Sequence, residues 1–395
     1  MKNYRTQLHT LAMLFASLWL CCSCIDEYNA DLPSSETTYL VVEGYICGNS
    51  ECQFTLSRSL SLSPTDQEIL ARMVSDANVS ICGSDGTKIR VPLTSSGIYT
   101  THLGALNPET EYWLAVEWMG NTYTSKATKP LLTPGIVEAH YEQPRDDKQV
   151  DIFITPAAPK AGETQYFRWS YTEDWEIHTP YHTNWEYNPE TDDIEPIKVD
   201  YYRGWCKDYS HTSVISNNKD YVNGEIHNLR LLSLDNMDNR FNYLYCASIT
   251  QRAISLEEYE YERLSQRQND DMGGLFTPQP SELPSNIYCT EGNGHALGYI
   301  GVSLNKELVR VYVRGSKVGW KIKVFPSALT DEQRGDKSRA VLHQLGYRVS
   351  NYIPEMGQDE WIEPYAVDCR MWGATLNKPD FWEDGDPFTE EDYKN

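Results

Sequence analysis

Short segments that alternate apolar and polar residues fill the first third of the chain, and this two-residue period most constrains its fold. Residues 77–81 and 88–92 each have the alternation of a half-buried β-strand, and the turn sequence 83–86 separates them. About seven such strands fit into residues 37–134, which is the size of an immunoglobulin-like β-sandwich. The pattern therefore predicts such a sandwich over this segment.

A proline-containing loop followed by a tyrosine is a second signature of this fold. Pro108 precedes Tyr112, and Leu114 and Val116 continue the same face of the strand. This arrangement resembles the tyrosine corner, in which a tyrosine hydroxyl is hydrogen-bonded to the backbone a few residues upstream. We therefore expect the Tyr112 hydroxyl to tie the loop to the strand that follows it.

The Pro134-Gly135 dipeptide marks a boundary, beyond which more strands follow. In residues 165–171 aromatic residues occupy every second position, as a half-buried strand requires. A polar excursion over residues 173–200 then interrupts the pattern. We predict a larger, β-rich domain over residues 135–379 and an acidic C-terminal tail over residues 380–395.

This larger domain is predicted to contain one or two short helices. Ser255 and Glu258 match a capping box, with Ser255 as the N-cap residue, and Gly273 stops the helix. A second short helix is compatible with residues 337–345. The whole chain is therefore predicted to be mainly β, with an immunoglobulin-like sandwich first and the β-rich domain after it.

The N-terminal residues have the composition of a secretory signal peptide. Lys2 and Arg5 precede an apolar segment of ten residues, 11–20. A helix that crosses a bilayer needs about 20 residues, so this segment is too short to be a transmembrane anchor. We predict that residues 1–23 are a signal peptide that is removed.

A cysteine follows this apolar segment at the position expected for a bacterial lipoprotein. Ser23 precedes Cys24, which resembles a lipobox, whereas Cys22 follows two bulky residues. We predict that Cys24 is diacylated through its thioether and becomes the mature N-terminus. Residues 24–36 would then be a lipid-anchored linker, because several acyl chains hold a protein firmly at a membrane.

Seven of the ten cysteines remain as side chains after removal of the signal peptide and lipidation, so at least one has no disulfide partner. Cys47 and Cys52 flank a short loop between two predicted strands, where facing cysteines meet disulfide geometry. A Cys47–Cys52 disulfide and two buried thiols both fit the sequence. No C-x₂-C spacing follows residue 24, so no zinc site is predicted.

The charge balance argues against nucleic acid as a partner. Acidic residues number 57 and basic residues 34, which gives a net charge of −23. Affinity for nucleic acid depends on basic residues that neutralise phosphates, and docking on anionic lipid headgroups needs a polybasic face. Aromatic residues make up 12% of the chain, which is too many for a disordered, charge-swollen chain.

The sequence carries no motif for catalysis. It lacks the zinc-protease pattern HExxH, the nucleophile elbow GxSxG and the phosphate-binding P-loop. His178 and His182 have helical spacing, but Pro180 between them opposes a helix. We therefore predict no catalytic residue, no metal site and no cofactor.

Aromatic residues are frequent in the predicted excursion, without strict alternation. Exposed aromatic rings stack on the apolar faces of sugars or hold peptides, whereas buried rings form a core. Trp175 and Trp185 are flanked by acidic and polar residues and are the best candidates for exposure. Together with Tyr187 they are predicted to bind a glycan or a peptide ligand, and a small core under the loop is the alternative.

Several motifs in a fixed order resemble one family of bacterial proteins. They are Ile-Asp-Glu-Tyr after Cys24, YFRWSY at 166–171, EEYEY at 257–261 and KPDFW at 378–382. In this order they resemble the Bacteroidota outer-membrane lipoproteins of domain-of-unknown-function family 4249. The resemblance implies an immunoglobulin-like N-terminal domain and a lipid anchor in the outer membrane. The acidic residues after Cys24 resemble the signal that exports such lipoproteins to the cell surface.

Members of this family are often encoded beside TonB-dependent transporters, so the resemblance implies such a transporter as a partner. The family has no established catalytic residues, and none are assigned here. Relatives carry paired cysteines near the C-terminus, whereas Cys369 stands alone, and a bond to Cys206 is an open alternative. The leading hypothesis is a surface-exposed, non-catalytic lipoprotein that holds a ligand or contacts a transporter. A surface hydrolase of polysaccharide or protein and an adhesin or fimbrial subunit are the alternatives.

Overall fold

The computed structural model describes residues 38–59, 71–144, 148–159, 165–210, 213–271, 284–322 and 326–382. The predicted signal peptide, Cys24 and the linker lie outside these residues, as do the glycines predicted to end the first helix and the tail from residue 383 onward. The described part of the chain is mainly β-stranded, which confirms the predicted fold class.

The strands and helices follow one another in three stretches. The first stretch contains β1 (Tyr39–Cys47), β2 (Glu51–Arg58), β3 (Asn78–Gly83), β4 (Lys88–Val91), β5 (Leu93–Ser95), β6 (Ile98–His102), β7 (Tyr112–Trp118) and β8 (Asn121–Ser125). The second contains β9 (Ile136–Glu142), β10 (Gln149–Pro156), β11 (Tyr166–His178), β12 (Trp185–Asn188), β13 (Asp193–Pro196), β14 (Arg203–Tyr209), β15 (Val214–Asn217), β16 (Leu229–Asp235) and β17 (Leu244–Ile254). The third contains α1 (Leu256–Asp271), β18 (Ile287–Glu291), β19 (His295–Ser303), β20 (Glu307–Arg314), α2 (Asp331–Arg334), α3 (Arg339–Gln344), β21 (Arg348–Ile353) and β22 (Gln358–Ile362).

The first β-sandwich packs two sheets around one core. The strand orders are β19–β1–β2–β6–β5 and β18–β8–β7–β3–β4. Alternate residues point into the core, such as Phe54 of β2 and Leu114 of β7, and fully burying one such side chain stabilises the fold by about 1.5–3 kcal/mol. The predicted tyrosine corner is confirmed, because the Asn107 N–H donates to the Tyr112 hydroxyl over 3.0 Å.

Two strands of this sandwich come from a distant part of the chain. β19 pairs in parallel with the whole of β1, from Tyr39 opposite His295 to Cys47 opposite Ser303, and β18 pairs with β8. The predicted segment 37–134 therefore contains only part of the first sandwich. Local alternation cannot show which strands pair, because a parallel pair needs a long crossover connection and leaves no turn between its strands.

The second β-sandwich packs the sheet β16–β10–β9 against the sheet β14–β11–β17–β20. β11 begins with buried aromatic residues such as Trp169 and continues to His178, although a polar excursion from residue 173 was predicted. The strand continues here with partners for its two buried glutamates, Glu173 and Glu176. Glu173, for example, is ion-paired with Arg240 at 2.8 Å and accepts a hydrogen bond from the Tyr245 hydroxyl at 2.7 Å.

A smaller module packs two β-hairpins, β12–β13 and β21–β22, around α3. Its core includes Leu342 of α3 and Trp361 of β22. α3 lies within the predicted range 337–345. The N-cap predicted for α1 is also confirmed, because Ser255 Oγ accepts a hydrogen bond from the Glu258 N–H at 3.1 Å.

A buried ion pair joins the two sandwiches. Arg252 of β17 pairs with Glu258 of α1, and its guanidinium lies 4.3 Å from the centroid of the Tyr45 ring in β1. Arg252 also donates to Ser303 Oγ of β19 at 3.4 Å. Removing one member of a buried pair costs about 3–5 kcal/mol, so this contact holds both sandwiches and α1 together.

Candidate functional site

The structure separates the three aromatic residues that the sequence placed in one ligand site. Trp175 lies in β11, where its half-buried ring packs against the core of the second sandwich. Trp185 and Tyr187 lie on β12 in the smaller module and line one cavity together. Trp175 is therefore a packing residue, because the unexpected extension of β11 carries it away from the loop.

The cavity at β12, called the aromatic pocket here, has a volume of about 250 Å³. The two hairpins of the smaller module form its walls, and the segment just after β22 closes it. Its lining residues are Thr183, Trp185, Glu186, Tyr187, Ile197, Tyr201, His343, Arg348, Val349, Trp361, Val367, Asp368 and Arg370.

Most of the aromatic rings in this pocket are held by contacts within the protein. The Tyr187 ring lies 5.9 Å from the Trp361 ring, and its hydroxyl donates to Asp192 Oδ1 at 2.7 Å. Trp361 is almost fully buried, and its Nε1–H donates to Asp359 Oδ2 at 2.6 Å. Trp185 is partly buried against the core of the smaller module, so the small core named as the alternative is present. The part of its ring that stays exposed borders the pocket and can stack on a ligand.

One wall of the pocket carries a paired arginine. Arg370 donates from Nε to Asp368 Oδ1 at 2.9 Å and from Nη2 to Asp368 Oδ2 at 2.7 Å. Its guanidinium also stacks 3.7 Å from the centroid of the Tyr201 ring. Burial alone would raise the pKa of Asp368, but the hydrogen bonds from Arg370 outweigh it and hold the pKa below its usual value. The wall is therefore a fixed and charge-balanced surface.

A second arginine, Arg348, also lines the pocket. Arg348 Nη1 donates to the carbonyl oxygens of Gly346 and Tyr347 at 2.9 and 3.0 Å. Burial and the charge of Arg348 lower the pKa of His343, so this imidazole is neutral at neutral pH. Glu186 is the remaining charged residue of the lining. Two arginines face two carboxylates, and the pocket suits a ligand without net charge.

Asp359 braces the elements behind the pocket. Its carboxylate accepts hydrogen bonds from Arg334 of α2 at 2.9 Å and from Arg339 of α3 at 3.3 Å. Arg339 also reaches Asp193 of β13 at 3.2 Å. Burial would raise the pKa of Asp359, but its bonds to Trp361 and Arg334 hold the pKa low. The helices and both hairpins are thus tied to one ionised carboxylate.

Sequence reasoning missed the part of this pocket that comes from the C-terminal third of the chain. Arg348, Trp361 and Arg370 were not singled out, because they lie more than 140 residues beyond Trp185 along the chain. The alternation of residues 348–353 would have indicated β21, but nothing in the sequence pairs this hairpin with β12–β13.

Cys47 and Cys52 are free, buried thiols, which is one of the two alternatives that fit the sequence. The register of β1 and β2 pairs Gly44 with Phe54, so Cys52 lies opposite the residue before Cys47. Cys52 Sγ accepts a hydrogen bond from the Cys47 N–H at 3.2 Å and reaches the Cys47 carbonyl oxygen at 3.3 Å. The offset of one residue therefore directs this sulfur to the backbone of Cys47.

Cys206 and Cys369 are also free thiols, and they share one small buried cluster with Ile177 and Ala374. Burial raises the pKa of each thiol to about 11. Both side chains therefore stay protonated near neutral pH, which makes them poor nucleophiles.

The remaining predicted features concern metals and membranes. His178 bonds to Glu176 at 2.6 Å, whereas His182 bonds to Asp200 at 3.1 Å. No group of three or more His, Cys, Asp or Glu side chains in the described residues is arranged to hold a metal ion. In the same part of the chain, no helix has the length and hydropathy needed to cross a membrane.

Comparisons with known proteins place the chain in a family. The two-domain fibronectin type-III segment of chicken tenascin is 12% identical, the match covers 53% of this chain and 88% of that one, and the TM-score is 0.12. No curated protein matches the chain. The model of the family described as Domain of unknown function (DUF4249) matches residues 25–308. Because this match spans well over half of the sequence, the chain belongs to the DUF4249 family.

Proposed function

We propose that this protein is a surface-exposed lipoprotein of the outer membrane that binds a small saccharide in the aromatic pocket and serves TonB-dependent uptake. The observation that carries the proposal is the pocket itself. It joins a partly exposed indole, Trp185, to a charge-balanced polar lining that includes Arg348 and Glu186. The protein has no catalytic role in this proposal, and it delivers or retains a ligand.

The chemistry of the pocket favours a neutral ligand that has one apolar face. A pyranose ring presents axial C–H groups on one face and hydroxyls around its edge. Trp185 offers a ring for the apolar face, and Arg348 and Glu186 offer a donor and an acceptor for hydroxyls. The volume of about 250 Å³ lies below the range of pockets for drug-sized ligands, about 300–1,000 Å³, so only a small ligand fits. One sugar ring is therefore the proposed occupant.

The membrane anchor and the transporter partner rest on the sequence. Cys24 follows a signal-like segment and is the proposed lipid attachment site, with the acidic Asp26 and Glu27 directly after it. A net charge of −23 suits an ectodomain that is repelled by a negatively charged cell surface. The lipid, rather than a basic patch, would hold the protein at the membrane.

Binding to the pocket is tested by calorimetric titration of the mature protein with a panel of neutral mono- and oligosaccharides. We expect Trp185→Ala to weaken binding about tenfold, which is about 1.4 kcal/mol. The matched control is Tyr288→Ala, which removes an exposed ring of β18 in the first sandwich. Binding of a peptide alone, or equal binding by the Trp185 variant, would reject the saccharide pocket.

The anchor and partner are tested in cells. Cys24→Ala should abolish labelling with a radioactive fatty acid and release the protein from membranes, and wild-type protein should co-purify with a TonB-dependent transporter. Turnover of a polysaccharide or protein substrate would favour the hydrolase alternative. Proteolytic loss of the N-terminal segment with polymerisation by strand donation would favour the fimbrial alternative.

A further inference from the structure

Two residues that line a second cavity each carry a buried polar atom that has no hydrogen-bond partner among the residues that the structure describes. Asp174 of β11 is 1% exposed, and its Oδ2 has no hydrogen-bond partner. Trp205 of β14 is 9% exposed, and its Nε1–H also lacks a partner. Buried polar groups are nearly always hydrogen-bonded in native proteins. An unpaired acceptor and an unpaired donor in one cavity therefore indicate a ligand that pairs with both.

The neighbouring carboxylate on the same strand shows that this lack of partners is specific to Asp174. Glu176 lies two positions further along β11, on the same face, and is equally buried. It accepts hydrogen bonds from His178 at 2.6 Å and from Trp382 Nε1 at 2.8 Å, and it is ion-paired with Arg203 at 2.6 Å. The fold thus supplies three partners to one carboxylate and leaves an oxygen of the next unpaired.

The second cavity, called the Asp174 cleft here, has a volume of about 620 Å³ and is lined by Asp174, Trp205, Lys207, Thr375 and Phe381 among others. Asp174 lies opposite Lys207 across the β11–β14 pair, and Glu176 lies opposite Trp205. Asp174 and Trp205 are therefore diagonal neighbours on one face of the sheet, at a typical spacing of about 7–8 Å. Both residues line the cleft.

The outer wall of the cleft is anchored at one backbone pair. Trp205 N–H donates to the Thr375 carbonyl, and Thr375 N–H donates to the Trp205 carbonyl, both at 2.8 Å. Further along this wall, the Phe381 ring is covered on one side by Arg310, whose guanidinium carbon lies 4.1 Å from the ring centroid. The wall is therefore held to β14 at Trp205.

The charges around Asp174 select the class of ligand. Burial raises the pKa of Asp174, and the charges of Lys207 and Arg310 act in the opposite direction. A cationic ligand would meet these two positive charges, and an anionic ligand would meet the carboxylate of Asp174. A neutral group that both donates and accepts hydrogen bonds avoids both penalties.

We propose that the Asp174 cleft is a second binding site that holds neighbouring hydroxyls of a neutral saccharide. One hydroxyl donates to Asp174 Oδ2, and the next accepts from Trp205 Nε1–H. A vicinal diol fits because each hydroxyl is both a donor and an acceptor. This site is separate from the aromatic pocket, although the chain from Asp368 to Thr375 contributes to the walls of both.

The indole N–H resonance of Trp205 reports directly on this site in nitrogen-15 NMR spectra of the mature protein. Trp205→Phe assigns the resonance by its loss. The probes are glucose, galactose and mannose as neutral saccharides, propionamide and a glutamine tripeptide as amides, and methylammonium as a cation. We expect at least one of the saccharides to shift the Trp205 resonance in a saturable way, and the amides and the cation to leave it unchanged.

Asp174→Asn should weaken this saccharide binding about tenfold or more, because hydrogen bonds to charged groups are the stronger ones. The matched control is Asp208→Asn on β14, which lies outside the cleft, and unchanged backbone resonances show that each variant is folded. Trp185→Ala should leave the Trp205 response intact, which separates this site from the aromatic pocket. Three results would overturn the proposal. The Trp205 resonance could respond only to an amide or a cation, it could respond to none of the probes, or it could respond to a saccharide equally in Asp174→Asn.

Discussion

The two cavities of this protein differ in how their polar groups are satisfied. In the aromatic pocket, Asp368 is paired with Arg370, and Tyr187 and Trp361 each donate to a carboxylate. In the Asp174 cleft, Asp174 Oδ2 and Trp205 Nε1 have no hydrogen-bond partner within the described part of the chain. The polar groups of the aromatic pocket therefore already have hydrogen-bond partners within the protein, whereas those of the cleft would obtain partners from a ligand.

The same contrast appears within one strand, between Glu176 and Asp174. Burial would raise the pKa of Glu176, but hydrogen bonds from His178, Arg203 and Trp382 outweigh it and lower the pKa. Burial raises the pKa of Asp174, since no comparable set of donors reaches it. Burial of a carboxylate thus has opposite consequences at positions two residues apart, according to the partners that tertiary packing brings.

The largest expected effect is the loss of the partnered carboxylate. Glu176→Gln weakens the hydrogen bonds that a buried carboxylate receives, and we expect a loss of about 2 kcal/mol in the free energy of unfolding at pH 7, because Arg203 is partly exposed to solvent. The pKa of Glu176 is lowered in the folded protein. Its stabilising contribution is therefore fully present at pH values above the pKa in the unfolded chain, and it disappears as the pH falls through the pKa in the folded protein. Denaturant unfolding at several pH values measures it. Glu117→Gln, an exposed change on β7, is the control and should stay within about 0.5 kcal/mol.

Cys206 points to the opposite face of β14 from Trp205, and its thiol tests whether the cluster that it forms with Cys369 behind the cleft is closed to solvent. Burial raises the pKa of this thiol from 9.0 to about 11, so at pH 8 it should contain about 100-fold less thiolate than an ordinary cysteine. The measurement is the rate of alkylation by iodoacetamide, read by mass spectrometry, with the half-exposed Cys289 as the internal control. Alkylation of Cys206 and Cys289 at the same rate would contradict the burial of the Cys206 thiol.

Replacing Asp174 should change the free energy of unfolding in the opposite direction to replacing Glu176. Asp174→Asn should raise the free energy of unfolding by about 1 kcal/mol at pH 7, because it removes a buried charge without a full set of partners. The pKa of Asp174 is raised in the folded protein. Its contribution to the free energy of unfolding is therefore most favourable at pH values below the pKa in the unfolded chain, and it is lost as the pH rises through the pKa in the folded protein. The gain from the substitution should therefore vanish toward pH 3. A loss of stability at pH 7 would show that Asp174 is satisfied in solution.

His343 in the aromatic pocket should give the smallest effect. Burial and Arg348 lower its pKa, so the neutral imidazole contributes full stability above the ordinary value of 6.5 and less as the pH falls below it. The unfolding free energy of the wild type should fall slightly between pH 6.5 and the folded pKa, and His343→Phe should lack this step. Histidine NMR titration gives the pKa itself, and a value above 6.5 would contradict a neutral pocket.

The features that local sequence could determine are those set by neighbours along the chain. The alternation in β2 and β7, the Tyr112 hydroxyl bonded to Asn107, and the Ser255 cap of α1 were all predictable. Each depends on the backbone period of one element or on a hydrogen bond that spans a few residues. For Trp185 and Tyr187, local sequence could determine only that the two residues lie close together, because they occupy one short strand.

Tertiary structure alone decided the rest. The pairing of β1 with β19 joins strands about 250 residues apart in the sequence, and the one-residue offset in the β1–β2 hairpin keeps Cys47 and Cys52 as thiols. The extension of β11, and the different fates of Asp174 and Glu176, depend on which distant donors reach each carboxylate. Sequence fixes the periodicity of an element and its local capping bonds, but burial and long-range partners set the energy of a polar side chain, and these exist only in the folded chain.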